Sequence, residues 1–254
     1  MEQMRVINFL LGTRRCGTSL LAAILHACGA DFGAVRTTPE YHRSGYMEDP
    51  QVGKAESYFR KYYELRKTFP FLPVCCINGI RKRAIRIFKT TVEDNRTWVK
   101  NGALISCLAD LQNSLQFQPK ILGIVRHPVE NVASFSNSKG AFGMESDVSA
   151  MFQRYYNNNQ KLLLHIENYG GCLISFHDLT DRKKTNWADT IAATFPEFKK
   201  KDLIKARNKL VDQRVRNLGK QQIIYLPEDQ QKFWEFLIQK TQETAKPKNK
   251  KQHP

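Results

Sequence analysis

The chain has 254 residues and a mass of 29.4 kDa, with 41% apolar and 25% charged residues. This composition is typical of a globular protein with its own core, and it excludes a wholly disordered or a fibrous chain. The net charge is +16, from 40 basic and 24 acidic residues, so the surface attracts anions such as nucleic acid, acidic glycans, anionic membranes or phosphorylated cofactors.

Strands and helices alternate along the chain, which predicts an α/β fold with a parallel sheet flanked by helices on both faces. The strands are predicted at Val6–Leu11, Thr97–Val99, Ile121–Val125 and Cys172–Phe176. The helices are predicted at Ser19–Cys28, Gln51–Lys67, Ala103–Ser114, Pro128–Asn137, Val148–Asn168, Asn186–Thr194 and Glu228–Thr241.

The length predicts a single domain over residues 1–244, followed by a basic, disordered tail over residues 245–254. No apolar run reaches the ~18 residues that a membrane span needs. The N-terminal apolar run is interrupted by Arg14 and Arg15 and does not have the pattern of a secretion signal. We therefore expect no membrane span, a cytoplasmic location and six reduced cysteines.

The basic residues are concentrated in two segments. Eleven basic and three acidic residues lie between Arg60 and Lys100, and nine basic and two acidic residues lie between Lys199 and Lys220. Either segment can bind an anionic partner or simply form a solvated face, and the charge alone leaves both interpretations open.

The first predicted strand continues into a glycine loop, Gly12–Ser19, with a helix after it. Backbone N–H groups of such a loop bind anions together with the helix N-terminus. The spacing matches the phosphate-loop pattern GxxxxGK[ST], except that Thr18 stands in the place of the lysine. Arg15 supplies a cation earlier in the loop, and Arg126 follows a strand that would end in a magnesium-binding aspartate in a nucleotidase. We therefore expect a sheet of the P-loop NTPase type that holds an anionic cofactor without metal.

Four segments, in order along the chain, resemble motifs of the sulfotransferases that use 3′-phosphoadenosine 5′-phosphosulfate (PAPS). Arg15–Leu21 resembles the 5′-phosphosulfate loop, R-S-G-T-[TS]-L-L. Arg126, with Ser134 eight residues later, resembles the 3′-phosphate motif. Arg43–Asp49 is similar to the N-P-x-G-Y-F-E-D pattern of the bacterial branch, and Phe176–Leu179 is similar to the Y-E-D-L that closes a late strand.

The resemblance implies metal-independent, in-line transfer of a sulfuryl group from PAPS to an acceptor hydroxyl or amine, with 3′,5′-adenosine bisphosphate (PAP) as product. Arg15 is implied as the cation that stabilises the transferring group, and Glu48 as the general base. His42 is the reserve candidate for the base. The residues implied in cofactor binding are Arg14, Arg15, Cys16, Gly17, Thr18, Ser19, Arg126 and Ser134.

The sequence also departs from the family pattern. Cys16 stands where the family has serine, and its place before a helix N-terminus predicts a lowered thiol pKa. Lys100 stands where the bacterial branch has K-D-P-R, but Asn101 and Gly102 follow it, so its role stays open. Asp49, next to Glu48, is predicted to be a helix N-cap instead of a base.

Two other classes of function stay open. A P-loop kinase or small NTPase would explain the loop but not Thr18, and a basic binder of nucleic acid or acidic glycan would explain the charge. No recognisable nucleic-acid motif accompanies the charge, so a nucleic-acid partner is not expected. The expected acceptor is a small molecule or a glycan, and an acidic one would suit the basic segments. The oligomeric state and the roles of Arg214 and Arg216 are not predicted.

Overall fold

The sheet sets the architecture of the protein. A computed structural model describes residues 4–34, 48–71, 73–93, 96–136, 147–211, 226 and 228–245. In these ranges four strands form one parallel sheet in the order β2-β1-β3-β4. The strands are β1 (Val6–Leu11), β2 (Trp98–Lys100), β3 (Gln118–Val125) and β4 (Gly171–Ser175). The predicted parallel sheet is confirmed, with all four strands within a few residues of their predicted positions.

Helices connect the strands. The described residues contain a 3-10 helix, Gly102–Ser106, and ten α-helices. The α-helices are α1 (Thr18–Ala27), α2 (Pro50–Thr68), α3 (Val74–Glu93), α4 (Leu108–Leu115), α5 (Pro128–Ser136), α6 (Val148–Tyr169), α7 (Phe176–Thr180), α8 (Asn186–Thr194), α9 (Lys200–Leu210) and α10 (Glu228–Ala245). None of the described helices is both long enough and apolar enough to cross a lipid bilayer.

Three predicted features differ from the structure. Helices α3 and α9 were not predicted, because their many basic residues obscure the apolar positions that face the core. The predicted helix Ala103–Ser114 is divided at Cys107 into the 3-10 helix and α4. Phe176 begins the short helix α7 and does not extend the last strand. Of the predicted tail, residues 246–254 lie outside the described residues.

Each face of the sheet has its own apolar core. Alternate residues of β1 point to opposite faces: Phe9 packs with residues of α2, α3, α4 and α6, and Leu10 packs with residues of α1, α8 and α9. The Phe9 ring stacks against Phe88 and Phe117, at centroid distances of 6.3 and 5.7 Å. The prediction of helices on both faces of the sheet is therefore confirmed.

The order of the strands indicates the edge of the sheet at which a ligand is expected to bind. From β1 the chain first goes to β2 on one side and then to β3 on the other, so its direction reverses between β1 and β3. In open parallel sheets, ligands bind at the carboxyl ends of the strands at such a reversal. The segments that begin at Gly12 and Arg126 both start at this edge of the sheet.

The outer strand β4 is covered by the end of α10. The Thr244 hydroxyl donates a hydrogen bond to the carbonyl of Leu173 at 3.2 Å and accepts one from its N–H at 3.3 Å. A side chain thus satisfies backbone groups that a fifth strand would otherwise pair with.

Candidate functional site

The glycine loop connects β1 to α1 through two residues with left-handed backbone angles, Arg15 (φ 68°) and Gly17 (φ 103°). Gly17 is the N-cap of α1 and has no side chain with which to cap the first turn of this helix. A Cβ atom at Gly17 would lie 2.2 Å from the Phe176 ring, which leaves glycine as the residue that fits. The N–H groups of the first turn have no partner within the helix and can bind an anion.

Hydrogen bonds join the loop to Arg126, just before α5, and to Ser134 in the last turn of α5. Arg15 Nε donates to Ser134 Oγ at 3.1 Å, and Arg126 Nη1 donates to the backbone carbonyl of Arg15 at 3.3 Å. The structure therefore brings together two predicted motifs that lie far apart in the sequence. Arg15, Arg126 and Ser134 meet at the carboxyl ends of β1 and β3.

Several contacts hold Arg126 in place. Its Nε lies 3.0 Å from Glu130 Oε2, and its guanidinium carbon lies 4.6 Å from the centre of the Phe176 ring. The Tyr155 hydroxyl donates to its backbone carbonyl at 2.8 Å. The Arg126 side chain is 13% exposed, so this cation is positioned before any ligand arrives.

Asn131 is a site residue that the sequence analysis missed. Its buried amide donates to the carbonyl of Arg14 at 2.8 Å and to Thr13 Oγ1 at 3.3 Å. These two hydrogen bonds from Asn131 fix the loop to α5. The available signal was its position between Arg126 and Ser134, two residues already implied in cofactor binding.

Lys100, at the end of β2, connects the loop with the predicted base. Its Nζ donates to Ser19 Oγ at 3.0 Å and lies 3.1 Å from Glu48 Oε1. Only 2% of Lys100 is exposed, and this burial lowers its pKa while the negative charge of Glu48 partly restores it. The Lys100 side chain thus bridges Glu48 and Ser19 of the glycine loop.

Asp49 anchors the segment that carries Glu48. Its carboxylate accepts a hydrogen bond from the Gln51 N–H at 2.6 Å and pairs with Arg96 Nη1 at 2.8 Å, with both side chains buried. Its predicted role as the N-cap of α2 is confirmed. The reserve base His42 lies outside the described residues, as do Arg214 and Arg216.

The prediction of a lowered thiol pKa at Cys16 is wrong. The side chain is fully buried beneath the loop, and a Cβ atom at Gly12 would lie 2.5 Å from its sulfur. Burial raises the thiol pKa to about 11, which outweighs the hydrogen bonds from the loop that lower it. The Cys16 side chain therefore belongs to the core, and a ligand would meet its backbone.

We expect iodoacetamide to label Cys75 and Cys76 in the folded protein long before it labels Cys16, Cys107 or Cys172. The first two thiols are exposed and the other three are buried, with pKa values raised by burial. Mass spectrometry of peptides from native and urea-unfolded protein would measure this order. Labelling of Cys16 in the native protein as fast as in the unfolded protein would contradict it.

A second carboxyl group lies near the loop. Glu56 of α2 is half-buried, and this burial raises its pKa while the charges of Arg60 and Arg14 partly lower it.

Within the described residues, His, Cys, Asp and Glu form no group of three or more that could hold a metal ion. The site combines three cations, Arg15, Arg126 and Lys100, with a helix N-terminus whose N-cap is a glycine.

Comparisons with known proteins support the fold. No protein-family profile matches the chain, and no curated protein is significantly similar to it in sequence. Among solved structures, the chain is similar to the sulfotransferase domain from the curacin biosynthetic pathway, with a TM-score of 0.56 and 15% sequence identity over 93% of this chain and 99% of that chain. The chain thus has the fold of a sulfotransferase domain, as the motifs predicted.

Proposed function

We propose that the protein is a sulfotransferase that moves the sulfuryl group of PAPS to an acceptor hydroxyl or amine. The hydrogen bond between Arg15 and Ser134 carries the proposal, because it joins the two motifs that resemble the 5′-phosphosulfate loop and the 3′-phosphate site. The similarity in fold to a sulfotransferase domain supports the same reading.

The residues at this edge of the sheet suit a nucleotide with two separate anionic groups. Arg126 and Ser134 would hold the 3′-phosphate, since a guanidinium presents two parallel N–H donors to phosphate oxygens. The N–H groups at the start of α1, between Gly17 and Ser19, would hold the 5′-phosphosulfate. When bound, PAPS would supply the sulfuryl group and a phosphate leaving group.

The protein's own contribution to transfer would come from Arg15 and Glu48. Arg15 would stabilise the negative charge that develops on the leaving phosphate and on the sulfuryl oxygens. Glu48 would accept the proton of the acceptor hydroxyl. Lys100 would hold the Glu48 carboxylate in position through their 3.1 Å ion pair. Because its Nζ also donates to Ser19, this lysine would link the base to the loop.

We also propose that the acceptor is a small molecule or a glycan and that the protein works in the cytoplasm. An anionic acceptor would be attracted by the net charge of +16. All six cysteines are free, which suits the reducing cytoplasm.

A P-loop kinase is the second candidate, and Lys100 is the observation that favours it. Thr18 replaces the lysine of the phosphate-loop pattern, but the buried Lys100 reaches Ser19, the last position of that pattern. A lysine from β2 could thereby serve the β- and γ-phosphates of a nucleoside triphosphate.

Calorimetric titration with PAP in the absence of magnesium, beside ATP with magnesium, separates the two candidates. We expect PAP to bind and Arg126→Ala to weaken it ~10- to 100-fold, since a charge-assisted hydrogen bond pair to phosphate is lost. Arg86→Ala is the matched control, because this exposed arginine of α3 carries the same charge. Binding of ATP with magnesium but not of PAP, with loss on Lys100→Met, would replace the sulfotransferase proposal with the kinase.

A further inference from the structure

Helices α2 and α3 form a hairpin whose far end stands away from the core. The buried residues of α2, namely Val52, Ala55 and Phe59, all lie in its first half. None of the described residues from position 60 to position 76 is buried. The turn between the two helices is therefore the outermost part of the hairpin.

This turn exposes large apolar side chains. Phe71 is 97% exposed, and Phe69 and Val74 are 52% and 48% exposed. Cys75 and Cys76 follow them and are also exposed. Single exposed apolar residues are common on protein surfaces, whereas three large ones within six positions are typical of a surface that contacts a partner. We call Phe69, Phe71 and Val74 the apolar tip.

Basic residues surround the hairpin behind the apolar tip. From Arg60 to Lys89 the chain has nine basic residues and one acidic residue, Glu64. We call five exposed or half-buried basic residues of the two helices the basic collar: Arg66, Lys67, Lys82, Arg83 and Arg86. Arg81 is left out because it pairs with Asp110 of α4. Lys82 lies eight residues beyond Val74 in α3, or about 12 Å along the helix axis.

We propose that the hairpin docks on an anionic lipid surface, with the apolar tip among the lipid headgroups and the basic collar against their negative charges. The order of the two features along the hairpin supports this occupant, because peripheral segments bury apolar residues ~5–10 Å into the interface and place basic residues above them. A nucleic-acid surface instead interleaves aromatic and basic residues along one groove. The inference does not depend on the proposed sulfuryl transfer.

Sedimentation of the full chain with vesicles tests the proposal. The probes are vesicles of phosphatidylcholine alone and of phosphatidylcholine mixed with phosphatidylserine. We expect binding to the mixed vesicles, and the double substitution Phe69→Ser with Phe71→Ser should weaken it at least ~10-fold. Lys67→Glu with Lys82→Glu should weaken it as much, since each basic residue at such a surface contributes about fivefold.

The second basic segment of the chain offers a matched control. Lys201→Glu with Lys205→Glu makes the same change in net charge on exposed residues of α9. We expect this control to bind vesicles nearly as well as the unaltered chain. If both charge reversals weakened vesicle binding equally, only the overall charge of the protein would matter, and the proposal would be overturned. Full vesicle binding by the Phe69/Phe71 variant would overturn it as well, as would the absence of any binding to the mixed vesicles.

Two further readouts report insertion directly. The fluorescence of Phe71→Trp should shift to shorter wavelength on the mixed vesicles, and Cys75 and Cys76 should react more slowly with a charged, water-soluble thiol reagent. An RNA that binds the chain and displaces it from vesicles, with no loss in the Phe69/Phe71 variant, would assign the basic collar to nucleic acid instead.

Discussion

Replacing Arg15 with glutamine is expected to lower kcat for sulfuryl transfer by ~10²–10³, with a smaller change in KM for PAPS. Removing one charge-stabilising donor from a preorganised site typically costs this factor, because the lost interaction is strongest in the transition state. Glutamine keeps an N–H donor near Ser134, so it removes the charge with little change in the loop. PAP release from PAPS, followed with a panel of phenol, alcohol and amine acceptors, measures the effect.

Arg15→Lys provides the control for this variant. It restores a positive charge at the same left-handed position (φ 68°) but without the forked donors of the guanidinium. We expect a rate between those of the unaltered enzyme and Arg15→Gln. A kcat for Arg15→Gln equal to that of the unaltered enzyme would remove Arg15 from the transfer step and leave it as a residue that positions Ser134.

The second large effect is expected for Glu48→Gln. Loss of a general base typically lowers the rate ~10²–10⁴-fold. The glutamine carbonyl can still accept a hydrogen bond from Lys100 Nζ, so the buried lysine keeps a partner and the site keeps its shape. PAP affinity should therefore be unchanged while turnover is lost. Calorimetry with PAP and a rate assay with PAPS measure the two parts separately.

Glu56→Gln is the matched control for Glu48→Gln. Both residues are carboxylates on the same side of the loop, and both are coupled electrostatically to each other. If Glu56→Gln abolished transfer while Glu48→Gln turned over normally, the base would be the half-buried carboxyl group of α2. Normal turnover by both variants would exclude a carboxylate base from this segment.

Much of the fold could be predicted from the sequence, because the elements around the site have clear local signals. The apolar run Val6–Leu11 before a glycine loop predicts a buried strand, and Pro128 after Arg126 predicts the start of a helix. Helix α3 has no such signal. Its buried residues Ile77, Ala84, Phe88 and Val92 are spaced by seven and four positions but stand among basic residues, which hide the apolar pattern of the helix.

The site was predicted less completely than the fold, because several of its contacts join distant parts of the chain. The sequence motifs identified Arg15, Arg126 and Ser134 one by one. The hydrogen bonds among them depend on the pairing of β1 with β3. Lys100 became part of the site only because β2 lies on the other side of β1. The thiol pKa of Cys16 was predicted from its position in the sequence, whereas its burial depends on tertiary packing.

The contact between Thr244 and Leu173 bears on whether another chain can pair with the outer strand β4. An outer strand with unsatisfied N–H and C=O groups is a template on which a second chain can add a strand, as in domain swapping or fibril growth. Here one hydroxyl near the end of α10 satisfies both backbone groups of Leu173. A chain that ended before Thr244 would keep every described strand but leave these two backbone groups of β4 without this partner, and so open to a strand from a second chain.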